Sequence, residues 1–172
     1  MIEEAVLGRV LSAALVGGGE FSEVFAEDRR GTTAVFDDGR IEQLSSGRDR
    51  GAGVRVIAGD TTGYAHTSDL SEAGLLAAAE AAGAAARHGG GGANVVALER
   101  RPTTHPSTVE VLPDDVPKAR KVELLRRADD AARSAGGAVS QVSARYGDSR
   151  RRILVAHSDG LLASDDQVRT LF

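Results

Sequence analysis

The chain has 172 residues, a formal net charge of −4 and no cysteine. Disulfides and thiolate metal sites are therefore excluded, and the small, dispersed charge gives no electrostatic footprint for nucleic acid. The acidic start Met1-Ile2-Glu3-Glu4, and Arg9 within the first apolar run, argue against a secretory signal, and no segment approaches the length of a membrane span. We expect a soluble, cytoplasmic protein that binds neither membranes nor nucleic acid.

The start of the chain carries apolar residues at helical spacing, which predicts a first helix that ends at the Gly17–Gly19 run. The apolar positions are Ile2, Val6, Leu7, Val10, Leu11, Ala14 and Leu15. A first strand is predicted from Phe21 to Glu27.

The stretch from Thr32 to Thr67 predicts an antiparallel meander. Residues up to Phe36 alternate between apolar and polar, and Asp38-Gly39 follows, a pair whose tolerance of positive φ is typical of a two-residue hairpin turn. The remaining elements are predicted as a strand over Arg40–Leu44, a polar turn over Ser45–Arg50, a β-branched strand to Ala58 and a last strand over Gly63–Thr67.

An alanine-rich helix is predicted from Ser71 to Arg87, with a capping box formed by Asp69 and Glu72. Because its face is mostly alanine, this helix should lie close to the sheet. Four consecutive glycines and all four prolines fall between residues 89 and 117, which predicts a long connection with one or two short edge strands. A third helix is predicted from Lys118 to Ala135.

The helix-then-strand unit recurs about 118 positions further along the chain. The matched positions are Leu7 with Leu125, Gly18-Gly19 with Gly136-Gly137, and Ser22, Val24 and Ala26 with Ser140, Val142 and Ala144. The second copy lacks counterparts of Gly51–Thr67 and should expose a strand edge at Val168–Phe172. Either the chain is a fragment of a longer polypeptide, or a partner completes the sheet.

These predictions define an α+β fold in which helices pack on antiparallel meander sheets, with two related helix-then-sheet repeats, the second incomplete. Residues 1–88 are assigned to a first helix-meander-helix lobe, residues 89–117 to a Gly/Pro-rich connection, and residues 118–172 to a second, truncated lobe.

The four histidines do not have the spacing of a metal site, since none stands in an H-E-x-x-H or related pattern. His66 follows Tyr64 on the same strand face and could contact a ligand, although a solvent-facing or partly buried strand histidine is the simpler interpretation. His88 is assigned to the end of its helix and His105 to the connection; the fourth is His157. We predict no metal ligand and no catalytic residue in this chain.

Acid pairs and glycine runs are also given structural interpretations. The pairs lie in turns, before a helix or on a charged helical face, so solvated roles are favoured over catalytic ones; they are Asp37-Asp38, Asp114-Asp115, Asp129-Asp130 and Asp165-Asp166. Gly51-Ala52-Gly53 opens a strand, whereas a phosphate loop places its glycines between a strand and a helix N-terminus.

Three segments together resemble the N-terminal domain of the TldD/PmbA family, also called modulators of DNA gyrase. They are D-G-R-I-E at Asp38–Glu42, S-S-G-x-D-x-G-x-G-V-R-V-I-x-G at Ser45–Gly59, and T-G-Y-A-x-T-x-D-L-S at Thr62–Ser71. The resemblance continues through Leu124–Asp129 and Ile153–Leu162, and therefore covers nearly the whole chain.

The resemblance implies a TldD-type metallopeptidase that pairs with a PmbA-type paralogue, as heterodimer or homodimer, and cleaves unstructured or precursor peptides. The family's metal motif lies in a C-terminal domain that these residues do not include. The implied divalent metal, expected to be zinc, therefore has no ligands here, and the chain is expected to be inactive alone. Its implied role is to help enclose the active site and bind an extended peptide, for which Arg55 and Tyr64 are the predicted contacts.

Two alternatives stay open. The chain could be a standalone interaction module, or half of a split protein, whose sheet another chain completes. It could also act as a partner of DNA gyrase, an interpretation that rests on the family's second name alone. For Arg55 and Tyr64 the alternative is a structural one, in which both are exposed sheet residues that support their neighbours.

Overall fold

The computed structural model describes residues 2–86, 95–103 and 108–172. Its elements in chain order are helix α1 (Glu4–Leu15), strands β1 (Phe21–Asp37), β2 (Arg40–Ala58) and β3 (Thr61–Thr67), helix α2 (Glu72–Ala85), strand β4 (Glu99–Arg101), a 3-10 turn (Pro113–Asp115), helix α3 (Lys118–Ser134), and strands β5 (Ser143–His157) and β6 (Leu161–Leu171). The α+β prediction is confirmed, and a helix followed by strands occurs twice. Within the described ranges, no helix is long and apolar enough to cross a membrane.

The strands form one mixed sheet in the order β3-β2-β1-β5-β6-β4. The edge strand β3 runs antiparallel to β2, with Arg55 directly opposite Tyr64. At the other edge, β4 runs parallel to β6 over Leu161–Ala163. The short edge strand that the proline-rich connection predicted is therefore present as β4. Beyond this pairing β6 continues to Leu171, which is 75% exposed.

The hairpin turn at Asp38-Gly39 is confirmed, because both residues have positive φ, 43° and 84°. The polar turn predicted over Ser45–Arg50 is wrong, since β2 continues without interruption through these residues. Their side chains are exposed, so their polarity reports solvent contact instead of a change of chain direction. Pairing with the neighbouring strand holds the backbone extended there.

The start of α2 also differs from the prediction. Ser71 caps the helix, with its hydroxyl accepting from the Gly74 N–H at 3.2 Å, while Asp69 accepts from the Ser71 N–H at 2.9 Å. Glu72 does not reach back to close a capping box; it pairs with Arg9 on α1 at 3.0 Å. The predicted end of this helix, His88, the Gly89–Gly92 run and His105 lie outside the described residues.

The chain folds as two compact units that are not consecutive in sequence. Unit 1 comprises Met1–Asp28, Arg50–Thr104 and Arg152–Asp165, and unit 2 comprises Arg29–Asp49, His105–Arg151 and Asp166–Phe172. Strands β1, β2, β5 and β6 each contribute residues to both units. The predicted division of the sequence into residues 1–88, 89–117 and 118–172 is a different kind of division from these units, and it stays a prediction.

In unit 1, α1 and α2 pack on one face of the sheet. The fully buried side chains include Leu7, Val10, Leu11, Val24, Val54, Val56 and Leu75, with alanines from both helices between them. The close approach depends on Gly63 of β3, because a Cβ there would lie 2.0 Å from the carbonyl oxygen of Ala82. Between the helices, a Cβ on Gly83 would lie 2.7 Å from the Ala14 carbonyl oxygen. The alanine-rich helix therefore lies against the sheet as predicted.

Unit 2 has a smaller apolar cluster and a buried charge. Ala34, Phe36, Leu125 and Tyr146 form the cluster. The side chain of Lys121, 4% exposed, lies with its Nζ 2.6 Å from Oδ2 of Asp148, and it donates to the Pro113 carbonyl at 2.9 Å.

The pair has further polar partners, while Asp148 Oδ2 is buried and, among the described residues, has no hydrogen bond beyond its ion-pair contact with Lys121. Asp148 accepts from the Thr32 N–H at 3.2 Å, and the Lys121 Nζ is 5.9 Å from the centroid of the Tyr146 ring. A buried ion pair is tolerated only with such additional partners.

We predict that Gly63→Ala lowers the free energy of unfolding by about 1–3 kcal/mol, because the added methyl group overpacks the contact between β3 and the α2 backbone. The matched control is Gly8→Ala, since a Cβ at this helical position meets nothing within 4 Å and alanine favours helix. Urea denaturation measures both. Equal stability of Gly63→Ala and the wild type would contradict the close contact.

We predict that the unfolding free energy falls as the pH rises between about 10 and 12. Burial, helped by the Asp148 carboxylate, raises the pKa of Tyr146 from 10.0 to about 12. A raised folded-state pKa favours the protonated phenol, so this stabilisation is complete below the unfolded-state value and is lost as the pH rises through the folded-state value.

Titration of tyrosinate absorbance in a Tyr64→Phe variant isolates Tyr146, because the chain has two tyrosines. A midpoint near 12 that returns to about 10 in denaturant is expected. An unshifted midpoint in the folded state would contradict the buried hydroxyl.

Candidate functional site

The face of the unit 1 sheet opposite α1 and α2 carries polar and aromatic side chains. Along β2, Ala52, Val54, Val56 and Ala58 point to the helices, so the residues between them, including Arg55, point to the other face. We call this surface the open face and define it by Glu23, Gly53, Arg55, Tyr64, His66 and His157. None of these residues is fully buried.

A shared carboxylate organises the charged part of the open face. Oε2 of Glu23 accepts from Arg55 Nη2 at 3.2 Å and lies 3.0 Å from His157 Nε2. The other ring nitrogen of His157 is 3.6 Å from Asp159 Oδ1, and the ring packs edge-on against Phe21 with centroids 5.2 Å apart. Contacts on both ring nitrogens and on the ring edge fix the imidazole, and Glu23 links it to the guanidinium.

The aromatic part of the open face lies on the edge strand. Tyr64 is 61% exposed, directly opposite Arg55, and its ring stacks on that of His66 with centroids 6.3 Å apart. The ring lies over Gly53, because a Cβ there would be 2.5 Å from the Tyr64 hydroxyl oxygen. A glycine on β2 thus leaves room for a flat aromatic surface beside the sheet edge.

The structure brings Arg55 and Tyr64 together as a cross-strand pair and places His66 beside Tyr64. That these residues contact a peptide stays a prediction. Sequence reasoning missed Glu23 and His157, which share the site with Arg55. They lie on β1 and β5, far apart in the chain, so no local motif could have signalled them; the alternation of β1 indicated only which face Glu23 occupies.

The described residues do not fit a metal centre. Within residues 2–86, 95–103 and 108–172, no group of three or more histidine or acidic side chains is arranged to hold a metal ion. The Glu23 and His157 side chains are used in the ion pairs given above.

What the geometry offers is a surface for an extended chain. In the described part of the protein, β3 pairs on one side with β2 and has no strand on its other side. A free strand edge can accept a further strand through main-chain hydrogen bonds. Tyr64 and Arg55 stand beside this edge, so side chains of an added strand would lie near an aromatic ring and a guanidinium.

Helices on one face of the sheet and an exposed edge strand define the fold class of the chain as α+β. Comparison with family models then identifies the family. The model of the PmbA/TldA metallopeptidase domain 1 matches residues 22–86, and that of the PmbA/TldA metallopeptidase central domain matches residues 112–172. The chain belongs to the PmbA/TldD family.

Curated relatives agree with this assignment. The chain is 30% identical over 150 residues to a metalloprotease TldD homolog of Haemophilus influenzae, a match that covers 85% of this chain and 30% of the relative. It is 29% identical over 152 residues to a metalloprotease of Methanothermobacter thermautotrophicus, covering 87% of this chain and 32% of the relative. The chain thus spans about a third of the length of these relatives.

Solved structures share the fold at low sequence identity. A Thermotoga maritima protein described as a proposed modulator of a DNA gyrase has a TM-score of 0.75 and 14% identity, over 97% of this chain and 38% of its own. TldE from Thermococcus kodakarensis has a TM-score of 0.71 and 17% identity, over 96% of this chain and 37% of its own. These likenesses show that the fold recurs as a part of longer chains.

We predict that Gly53→Ala displaces the Tyr64 ring while changing the unfolding free energy by less than about 1 kcal/mol, because the clash falls on the flexible end of a side chain and alanine is no worse than glycine in a strand. The control is Gly47→Ala on the same strand, where a Cβ meets nothing within 4 Å. Ring proton shifts of Tyr64 and His66 measure the displacement. Unchanged shifts in Gly53→Ala would show that the ring does not lie over Gly53.

Proposed function

We propose that this chain is the non-catalytic N-terminal part of a TldD-type metal-dependent peptidase. The observation that carries the proposal is the combination of two matched PmbA/TldA metallopeptidase domains with described residues that hold no metal cluster. The relatives named metalloproteases are about three times as long, so the remaining length has room for a catalytic domain.

The first part of the proposed role is capture of an extended peptide at β3. Main-chain hydrogen bonds to the strand edge do not depend on peptide sequence, which suits a peptidase for unstructured substrates. The edge is short, from Thr61 to Thr67, and α2 packs on one of its faces. Side chains of a bound peptide that point away from α2 would therefore lie on the same side of the sheet as Tyr64 and His66.

The second part of the role is contact with peptide side chains. The Arg55 side chain is 43% exposed and is held by Glu23, so it can offer donors to a peptide carboxylate or carbonyl without large reorganisation. Tyr64 offers apolar area with few rotatable bonds to lose. Arg55 and Tyr64 are thus positioning residues for substrate in this proposal, not catalytic ones.

The third part concerns partners. A divalent metal, zinc in our proposal, would be held by the catalytic C-terminal domain. The proposed partner is a PmbA-type paralogue, in a heterodimer or homodimer, as the resemblance to the TldD/PmbA family implies. We keep the cytoplasm as the proposed location, since a chain without cysteine suits a reducing compartment.

The proposal is tested by reconstitution. This chain is mixed with a polypeptide that carries the family's catalytic domain, a PmbA-type paralogue and zinc, and cleavage of an unstructured peptide is followed by mass spectrometry. Cleavage that requires this chain and is abolished by chelator is expected. If the complete mixture is inert and chelator makes no difference, the peptidase assignment fails, and a standalone interaction module becomes the better description.

We predict that Tyr64→Ala and Arg55→Ala each weaken binding of an extended, acidic fluorescent peptide by about three- to tenfold, because exposed contacts contribute roughly 1 kcal/mol each. Arg9→Ala is the matched control, since Arg9 is also an exposed arginine of unit 1 paired with a glutamate but lies on α1. Fluorescence anisotropy measures the affinities. Equal weakening by Arg9→Ala would point to general charge attraction instead of a site at β3.

A further inference from the structure

Unit 2 contains a cationic pocket that the peptide-binding proposal does not use. Its volume is about 560 Å³, and four cationic side chains line it against one carboxylate, that of Asp114. The cations are Arg30, Arg48, Lys118 and Lys121, and Thr32 and Ser46 also line the pocket. The chain as a whole has a net charge of −4, so this concentration of positive charge runs against its overall balance.

The first turn of α3 adds to the positive potential. Pro117 at the N-cap provides no side-chain cap, and the turn contains no acidic residue. It carries three cations, Lys118, Arg120 and Lys121. Helix N-termini favour negative charge, so three cations and no acid are the unfavourable arrangement. An anion in the pocket would offset this unfavourable charge.

The cations differ in how far the protein itself neutralises them. Lys121 is paired with buried Asp148, and Arg120 pairs with Glu123 at 2.6 Å. Lys118 has no acidic partner in the described ranges of the chain. The Nε of Arg30 is buried and has no hydrogen-bond acceptor, while its Nη1 is 3.7 Å from Asp114 Oδ2. Lys118, and the guanidinium of Arg30, whose side chain is 42% exposed, therefore have donor capacity left for a ligand.

The remaining groups of the lining suit an oxygen-rich anion. The Thr32 and Ser46 hydroxyls lie 3.3 Å apart, and either can donate to a further acceptor. Guanidinium and ammonium groups make their strongest hydrogen bonds with ionised oxygen acceptors. The buried Lys121–Asp148 pair holds part of the lining in place, because its partners Thr32 and Pro113 also line the pocket.

We propose that this pocket binds an oxyanion, a carboxylate or phosphate group, held by Arg30 and Lys118 at the start of α3. Such a group could belong to an acidic peptide or to free phosphate, and the chemistry of recognition is the same. The site lies in unit 2, and it goes beyond the peptide-binding role proposed for the open face of unit 1.

The test is a titration of this chain with inorganic phosphate and, separately, with a triglutamate peptide, at ionic strength held constant with chloride. Backbone amide shifts of Thr32, Gly47, Lys118 and Ala119 are followed by NMR. We expect saturable shifts of these amides with at least one probe. Saturation by phosphate, by triglutamate or by both identifies the source of the oxyanion.

Variants then test which cationic side chains bind the anion. Arg30→Gln and Lys118→Gln should each weaken the saturating probe by about tenfold, because each removes charge-assisted hydrogen bonds. Arg126→Gln, an exposed arginine further along α3 that does not line the pocket, should bind as the wild type does.

The same spectra show whether each variant is folded. Absence of saturable shifts with both probes, or equal weakening by Arg126→Gln, would overturn the proposal. Because the readout is binding and needs no peptidase, its failure leaves the proposed function untouched, and failed reconstitution leaves the pocket untouched.

Discussion

The contact between α2 and β3 at Gly63 is the constraint on which the open face depends. A helix backbone can approach a strand this closely only where the strand has no Cβ. Along the rest of the interface, the small side chains of the α2 alanines let the helix lie close to the sheet. Both helices of unit 1 are thereby held on one face of the sheet. Glu23, Arg55 and Tyr64, which the alternation of β1, β2 and β3 sends to the other face, remain available to solvent and ligands.

The interior of unit 2 contains different interactions from that of unit 1. Its apolar cluster is small, and a fully formed ion pair between Lys121 and Asp148 occupies space that a core would fill with aliphatic side chains. Such a pair contributes little net stability compared with apolar packing, yet loss of one partner leaves an uncompensated buried charge. The ion pair therefore positions neighbouring residues more than it stabilises the fold. Thr32 and Pro113 bind the pair and also line the cationic pocket.

In the proposed function, the open face of unit 1 would bind substrate and would contribute no catalytic residue. Under this proposal, strand-edge capture at β3 would supply sequence-tolerant affinity, Arg55 and Tyr64 would orient the peptide, and bond cleavage would take place at a metal held outside these residues. The chain belongs to the PmbA/TldD family and covers 30% of the length of the Haemophilus influenzae relative.

The sequence by itself determined the α+β class, the Asp38-Gly39 hairpin, the three helices, the recurrence of a helix-then-strand unit and the family. These features depend on local periodicity, turn chemistry and motif spacing, which a chain carries before it folds. The predicted cap of α2 was wrong, and so was the turn predicted within β2. The turn was predicted because exposed polar residues are typical both of turns and of paired strands that face solvent. Only the tertiary structure joined Glu23 to Arg55 and His157, buried Lys121 beside Asp148, and gathered Arg30 with Lys118. Each of these groups brings together residues far apart in the chain. Strand register and the packing of α3, which no local pattern encodes across such separations, decide which side chains meet.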